Sequence, residues 1–380
     1  MEILELIKRG EDSRTQFKRT LSNPEQLAQE LVAFANTLGG VILVGIADTG
    51  DIVGVSPDDL RRCNLMISNA ASDLVKPPIH PLTEVIDIAG RMVLSIRIAE
   101  GLNKPYCTNK GVYLAKSGAD KRQISQEELL RLFQSSRKLY GEELELADTS
   151  IDDLDRTLFE TFYQKRYEEP FETAALNLPA LLHNMNLFDN GHLNIAGLML
   201  FGKHKFAGRP FSEIRAISFL GDDPISSGEY RDSENFQGNL KALYEHGMAF
   251  LARNLRKIQG DQSINSTGRL EIPKLVLEEL LINALIHRDY LINGVIRIFI
   301  FDNRIELINP GKLPNNLDIA KIKMGVSIPR NPTIHTFAGE LVPYRGIGTG
   351  IVRALKLHAQ IEFRNDPALE QFTAIIERLP

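Results

Sequence analysis

Glu279-Leu-Leu-Ile-Asn283, then Asn309-Pro-Gly311, then Gly346-Ile-Gly348-Thr-Gly350 occur in that order near the C-terminal end. Residues four apart on a helix share a face, so Glu279 and Asn283 point into one cleft. There an amide oxygen can ligate Mg²⁺ while a carboxylate orients water. The later glycine-rich turn runs into the apolar segment Ile351-Val-Arg-Ala-Leu-Lys-Leu. Unpaired N–H groups at such a turn and at a helix N-terminus form a seat for phosphates. Together the three elements have the order of parts of a nucleotide pocket.

Working outward from them, the block from Glu271 is predicted as a helix to His287, strands Val295 to Phe301 and Arg304 to Ile308, a long loop, and the glycine-rich helix. The spacing is G-x-G-x-G after a loop holding Pro343 and Tyr344, which is neither the dinucleotide fingerprint nor a Walker A loop. His287-Arg288-Asp289-Tyr290 closes the helix. It is not a kinase catalytic loop, because the glycine loop, lysine strand and D-F-G that such a loop needs do not accompany it. His287 either lines the cleft or serves as a helix-end dipole partner.

In the first block Asn23 caps a helix that Pro24 opens, and Leu27, Leu31, Val32 and Phe34 keep helical spacing up to Gly39-Gly40. Val41 to Ile46 reads as a strand turned by Asp48-Thr-Gly-Asp51 into Ile52-Val-Gly-Val, an expected hairpin. A helix after Ser56, strands near residues 84–88, 92–98 and 111–115, and a helix opened by Ser125 complete a mixed α/β unit. The acidic stretch from Gly141 to Asp153 resists burial and marks an exposed connection. Three domains are expected, at 1–140, 141–265 and 266–380, in an α+β chain. Within the middle one, Ala196-Gly-Leu-Met-Leu-Phe-Gly and Ile214 to Gly221 are both expected to be β structure.

A chain of 380 residues with 43% apolar residues supports more than one core. The net charge of -5 excludes a strongly basic chain, so nucleic-acid binding requires local patches. One such run is Lys104, Lys110, Lys116, Lys121 and Arg122, interleaved with Tyr106 and Tyr113 and joined by Arg14, Lys18 and Arg19. Cations of this kind neutralise phosphates while aromatic rings stack on bases. The bland alternative is a solvated strand-and-turn surface. Two cysteines, Cys63 and Cys107, make neither a disulfide framework nor a metal-ligand spacing. No apolar run reaches the length of a membrane span, and the N-terminus is too acidic for a secretory signal. A cytoplasmic protein is expected, with no membrane partner.

The third block, over roughly residues 270 to 360, resembles the GHKL (Bergerat-fold) ATPases, most closely the ATP-binding domain of RecG-like and transcriptional-regulator-like bacterial proteins. The resemblance implies an α/β sandwich binding ATP with Mg²⁺. Glu279 would activate water and Asn283 would bind the metal. Asn309 and Gly311 would contact adenine, and Gly346, Gly348 and Gly350 the phosphates. The loop between them, with Arg330 and Asn331, would be the nucleotide lid. Most members of that class carry aspartate where Asn309 stands; an amide accepts a hydrogen bond without charge assistance, which weakens affinity or base preference.

Glu11 to Lys18, Ala33-Phe-Ala-Asn36-Thr-Leu-Gly39-Gly40 and Gly45-Ile-Ala-Asp48-Thr-Gly50 closely resemble the AlbA-type DNA-binding domain shared with Schlafen proteins, over about residues 5 to 135. This implies nucleic-acid binding and, as in Schlafen proteins, a metal-dependent RNase site whose candidates here are Glu11, position 16 and Asp48. Gln16 stands where the nuclease pattern has Glu, and loss of a carboxylate weakens a hard-cation site. The expected protein is a nucleic-acid-binding, homo-oligomeric regulator in transcription control or phage defence, with hydrolysis of ATP slow at most. The rivals are a Schlafen-like metal-dependent endoribonuclease and a non-enzymatic self-assembling scaffold.

Overall fold

A computed structural model of the protein describes residues 2–136, 139–223, 229–259, 268–314 and 317–378. It divides into two compact units, Met1–Leu139 and Tyr140–Pro380.

In the first unit Asn23 accepts from the N–H of Glu25 and Gln26 and starts the helix Pro24–Asn36. That helix connects Thr15–Lys18 to its parallel neighbour Gly40–Val44, and Arg91–Ile98 and Leu82–Ile88 extend the sheet antiparallel. Side chains alternate across the strands. Ile42, Val44, Leu94 and Ile96 face one core, and Phe17, Val41, Leu43 and Val93 face a smaller one against the helix Glu2–Arg9. The Phe-Ala-Asn-Thr-Leu-Gly-Gly signature is a packing device. Asn36 donates to the carbonyls of Tyr106 and Leu114 and accepts from the Tyr106 N–H. A Cβ at position 40 would lie 2.4 Å from the Phe34 ring, so the ring requires glycine there. The expected 41–55 hairpin shrinks to one bridge, Ile46 to Ile52, because Val53 and Gly54 turn back to bond the Gly45 carbonyl.

The second unit holds one six-stranded sheet in the order Tyr230–Gln237, Glu213–Phe219, Ile296–Ile300, Arg304–Pro310, Gln371–Glu377, Ile361–Asp366. Blocks 141–265 and 266–380 share it, since Glu213–Phe219 pairs in parallel with Ile296–Ile300. A single core runs from Leu154 to Ile376. The helix Lys274–His287 carries buried residues all round, as a helix between a sheet and other helices must. Its neighbour Leu240–Asn254 comes close enough at Gly247 that a Cβ there would meet Leu281 at 2.9 Å.

The expected β structure at 196–202 is instead the helix Ile195–Phe201, while Glu213–Phe219 is a strand as expected. A short apolar run has no period that separates buried helix from buried strand. The cap decides: Asn194 accepts from the Gly197 N–H, and all seven helical residues are buried.

Candidate functional site

Glu279 and Asn283 share one face of Lys274–His287, and that face meets the start of the helix Gly350–Leu357. A Cβ on residue 350 would stand 2.2 Å from Glu279 Oε2 and 3.4 Å from Asn283 Nδ2, so any larger residue would displace that carboxylate. Behind it opens a cavity lined by Glu279, Asn283, Asn309, Gly311, Gly346, Gly348 and Gly350. The three sequence elements thus converge on one concave space.

Part of the wall of the cavity is apolar. Leu307, Phe372 and Ala374 of the sheet and Ile322 and Val326 of the 312–328 segment line it. Asn309 is buried there, and its Oδ1 has no hydrogen-bond partner among the described residues. A buried acceptor left unpaired is costly unless something else supplies the donor. The lining also carries the cations Lys312, Arg345 and Arg353.

Burial pushes the Glu279 carboxyl up, while Arg353 opposes the shift through an ion pair of 2.5 Å from Nη2 to Oε1. Burial, then His335 and Arg330, pushes His287 down to about 4, so near neutral pH it lines the cavity as an uncharged ring.

Arg330 and Asn331 do not line this cavity. Arg330 donates to the Lys312 carbonyl and pairs with Asp289 at 3.9 Å. Asn331 is buried and donates to the carbonyls of Ile286 and Arg288, closing the end of the site helix. The segment nearer the glycine loop is 325–327: Gly325 and Ser327 border Gly348. His287 excepted, the H-R-D-Y run is structural. Arg288, with no exposed surface, donates to the carbonyls of Phe211, Ile292 and Gly294.

Sequence reasoning missed Arg353 and Arg345. The signal was present for the first: Arg353 stands three residues after Gly350, on the same helical face.

In the first unit, the expected cations divide. Lys116 is buried; its Nζ bonds Gln16 Oε1 at 2.7 Å and the Ala119 carbonyl at 2.5 Å, lies 3.8 Å from Glu30, and sits over the Phe34 ring. Lys121 pairs with Glu30, Lys104 with Glu100, and Arg122 with Glu128. Tyr106 is buried, its hydroxyl accepting from Asn103 N–H, and Tyr113 is half-buried. Arg14 and Arg19 are exposed and Lys18 half-exposed, and among the described residues their side chains have no ion pair. All three belong to the edge strand Thr15–Lys18 or its flanks.

In the set Glu11, Gln16 and Asp48, Glu11 is engaged as a hydrogen-bond acceptor within the chain. Gln16 Nε2 donates to Glu11 Oε1 at 2.5 Å, and the Phe17 N–H donates to the same oxygen at 2.6 Å. Asp48 is exposed on its turn. Among the described residues, no three His, Cys, Asp or Glu side chains are grouped to hold a metal. An ammonium, that of Lys116, sits beside Gln16 instead.

Residues 11–125 match the family model described as Schlafen, AlbA_2, and residues 294–373 the one described as "Putative ATP-dependent DNA helicase recG C-terminal". The second match begins after the helix that bears Glu279 and Asn283. Among solved structures, the crystal structure of the DIP2311 protein from Corynebacterium diphtheriae is 19% identical, covering 100% of this chain and 80% of its own, with a TM-score of 0.48. The solution structure of the N-terminal domain of a "Putative ATP-dependent DNA Helicase RecG-related Protein" from Nitrosomonas europaea is 23% identical, covering 33% of this chain and 93% of its own, with a TM-score of 0.24. No curated protein matches the chain. Among the described residues, no helix is long and apolar enough to cross a membrane.

Proposed function

We propose, for a chain whose residues 11–125 form a Schlafen AlbA_2 domain and whose residues 294–373 belong to the RecG C-terminal family, that the second unit binds ATP and the first binds nucleic acid. The regulatory setting, transcription control or phage defence, belongs to the same reading.

The observation that carries the nucleotide half is the unpaired Asn309 Oδ1, buried in the same cavity that the Gly346–Gly350 loop lines. An exocyclic amino group of adenine is the donor that this oxygen lacks. Phosphates would lie on the glycine loop among Lys312, Arg345 and Arg353. Asn283 would supply one oxygen to Mg²⁺, whose remaining ligands would be phosphate oxygens and water, as suits that ion. Bound there, the ion would neutralise phosphate charge. In hydrolysis, Glu279 would take a proton from water as its oxygen bonds the γ-phosphorus and the bond to the ADP oxygen breaks.

Calorimetric titration with ATP and Mg²⁺ tests this. Saturable binding in the wild type, weakened about tenfold or more in Asn283→Ala, is expected. Heats no larger than dilution at millimolar ATP would refute the pocket.

For the nucleic-acid half, support comes from the three unpaired cations at the sheet edge, Arg14, Lys18 and Arg19. Each phosphate neutralised should contribute about one to the slope of log affinity against log salt.

A further inference from the structure

The Glu279–Arg353 ion pair leaves the guanidinium incompletely satisfied. Arg353 reaches Glu279 through Nη2, and its Nε is enclosed with no hydrogen-bond partner among the described residues. A guanidinium presents its donors as a planar fork, and one carboxylate oxygen uses one prong of it.

Position adds to this. Arg353 lies one turn into Gly350–Leu357, on the face that carries Gly350, so its side chain hangs beside the loop that would seat the phosphates. About a third of it, 32%, remains exposed, and Glu279 holds it in place. A terminal phosphate brings more negative charge than a carboxylate and three acceptor oxygens, enough to engage Nε and Nη2 together. While Arg353 holds it, Glu279 is poorly placed to take a proton from water.

We propose that Arg353 is the residue by which this cavity distinguishes a nucleoside triphosphate from a diphosphate: it grips Glu279 when no terminal phosphate is present and transfers to that phosphate when one is. The inference rests on the cavity being the nucleotide site. Arg345 and Lys312 also line the space, and they attract phosphate of either nucleotide. Among the described residues, Arg353 is the one of these cations in an ion pair with Glu279. Its release therefore frees that carboxylate from its nearest cation, with Arg345 acting on it only at longer range.

The experiment measures dissociation constants of the full chain for ATP and for ADP, each with Mg²⁺, in the wild type, Arg353→Gln and Arg353→Lys. Arg353→Gln is expected to weaken ATP by about 10- to 100-fold while leaving ADP within about threefold, so that the ratio between them collapses. Arg353→Lys keeps the charge without the fork and is expected to fall between. Thermal unfolding without nucleotide verifies that each variant folds, and the lysine variant carries the test if the glutamine one does not. Equal losses for both nucleotides, or no loss in either, would overturn the role of Arg353 while leaving the cavity reading intact. A wild type that binds neither nucleotide overturns both.

Discussion

Gly350 stands so close to Glu279 that a Cβ at 350 would lie 2.2 Å from the carboxylate oxygen Oε2. Two residues 71 positions apart in sequence thereby hold the two walls of one cavity together. Gly350→Ala should push the Glu279 carboxylate aside from its place against Arg353. We expect ATP affinity to fall about tenfold, because the displaced carboxylate intrudes on the site, while stability changes by less than about 1 kcal/mol. Calorimetry and thermal denaturation would measure both. A fully competent alanine variant would contradict the stated proximity.

Asn309 should behave as a residue kept for a ligand at the expense of the fold. Replacing it with Leu removes a buried acceptor that has no partner among the described residues and extends the apolar wall of Leu307 and Phe372. The ligand-free variant should be more stable by about 1–2 kcal/mol, and ATP binding should be lost. A variant that binds ATP as the wild type does would mean that Oδ1 contacts nothing.

Lys116 and Arg19 should give opposite phenotypes. Lys116→Met removes one partner from the buried Gln16–Lys116–Glu30 cluster and is expected to cost about 3 kcal/mol in urea denaturation. Arg14→Glu with Arg19→Glu should leave stability within about 0.5 kcal/mol and reduce the salt dependence of nucleic-acid binding by about two counterions. An unchanged salt slope in the double variant would exclude this edge as the contact.

Gln16→Glu would set two carboxylates where Nε2 now donates to Glu11 at 2.5 Å. The variant should lose about 1–3 kcal/mol at neutral pH, and Mn²⁺ should restore part of its melting temperature. Indifference to Mn²⁺ would mean that even a restored acidic pair cannot assemble a cation site here.

Glu142 is fully buried and accepts from the N–H of Thr333 at 2.7 Å and of Ile334 at 2.8 Å. Burial pushes it up to about 7, above its ordinary 4.5, despite those two donors. A raised native value means that the folded state holds the proton more tightly. The resulting stabilisation is full below about pH 4.5, declines as pH rises, and is gone above about 7. Glu142→Gln should flatten that part of the stability curve, by roughly 3 kcal/mol between pH 4.5 and 8. Parallel curves for the two proteins would show that another group governs the range.

Several elements were legible because their determinants act over a few residues. Asn23-Pro24, Ser56 and Ser125 announced helix starts that the structure contains. The order of Asn283, Asn309 and Gly346–Gly350 announced a pocket, since helical spacing and glycine turns are local properties. The run at 195–201 was misread because seven consecutive apolar residues fit a buried strand as well as a buried helix.

Sequence alone therefore determined the kinds of parts: a mixed α/β first unit, a glycine loop beside a helix bearing Glu279 and Asn283, and a set of candidate cations. Tertiary structure decided which of those charges remain available. Lys116 is bonded to Gln16, 100 residues away, and Lys121 to Glu30, 91 away, whereas Arg14 and Arg19 stay in water. It likewise made Asn331 a helix closure and Arg353 a cavity residue. The reason is physical. A charge is free or paired according to what folding brings within about 4 Å of it, and that distance is set by packing of the whole unit rather than by neighbours in the chain.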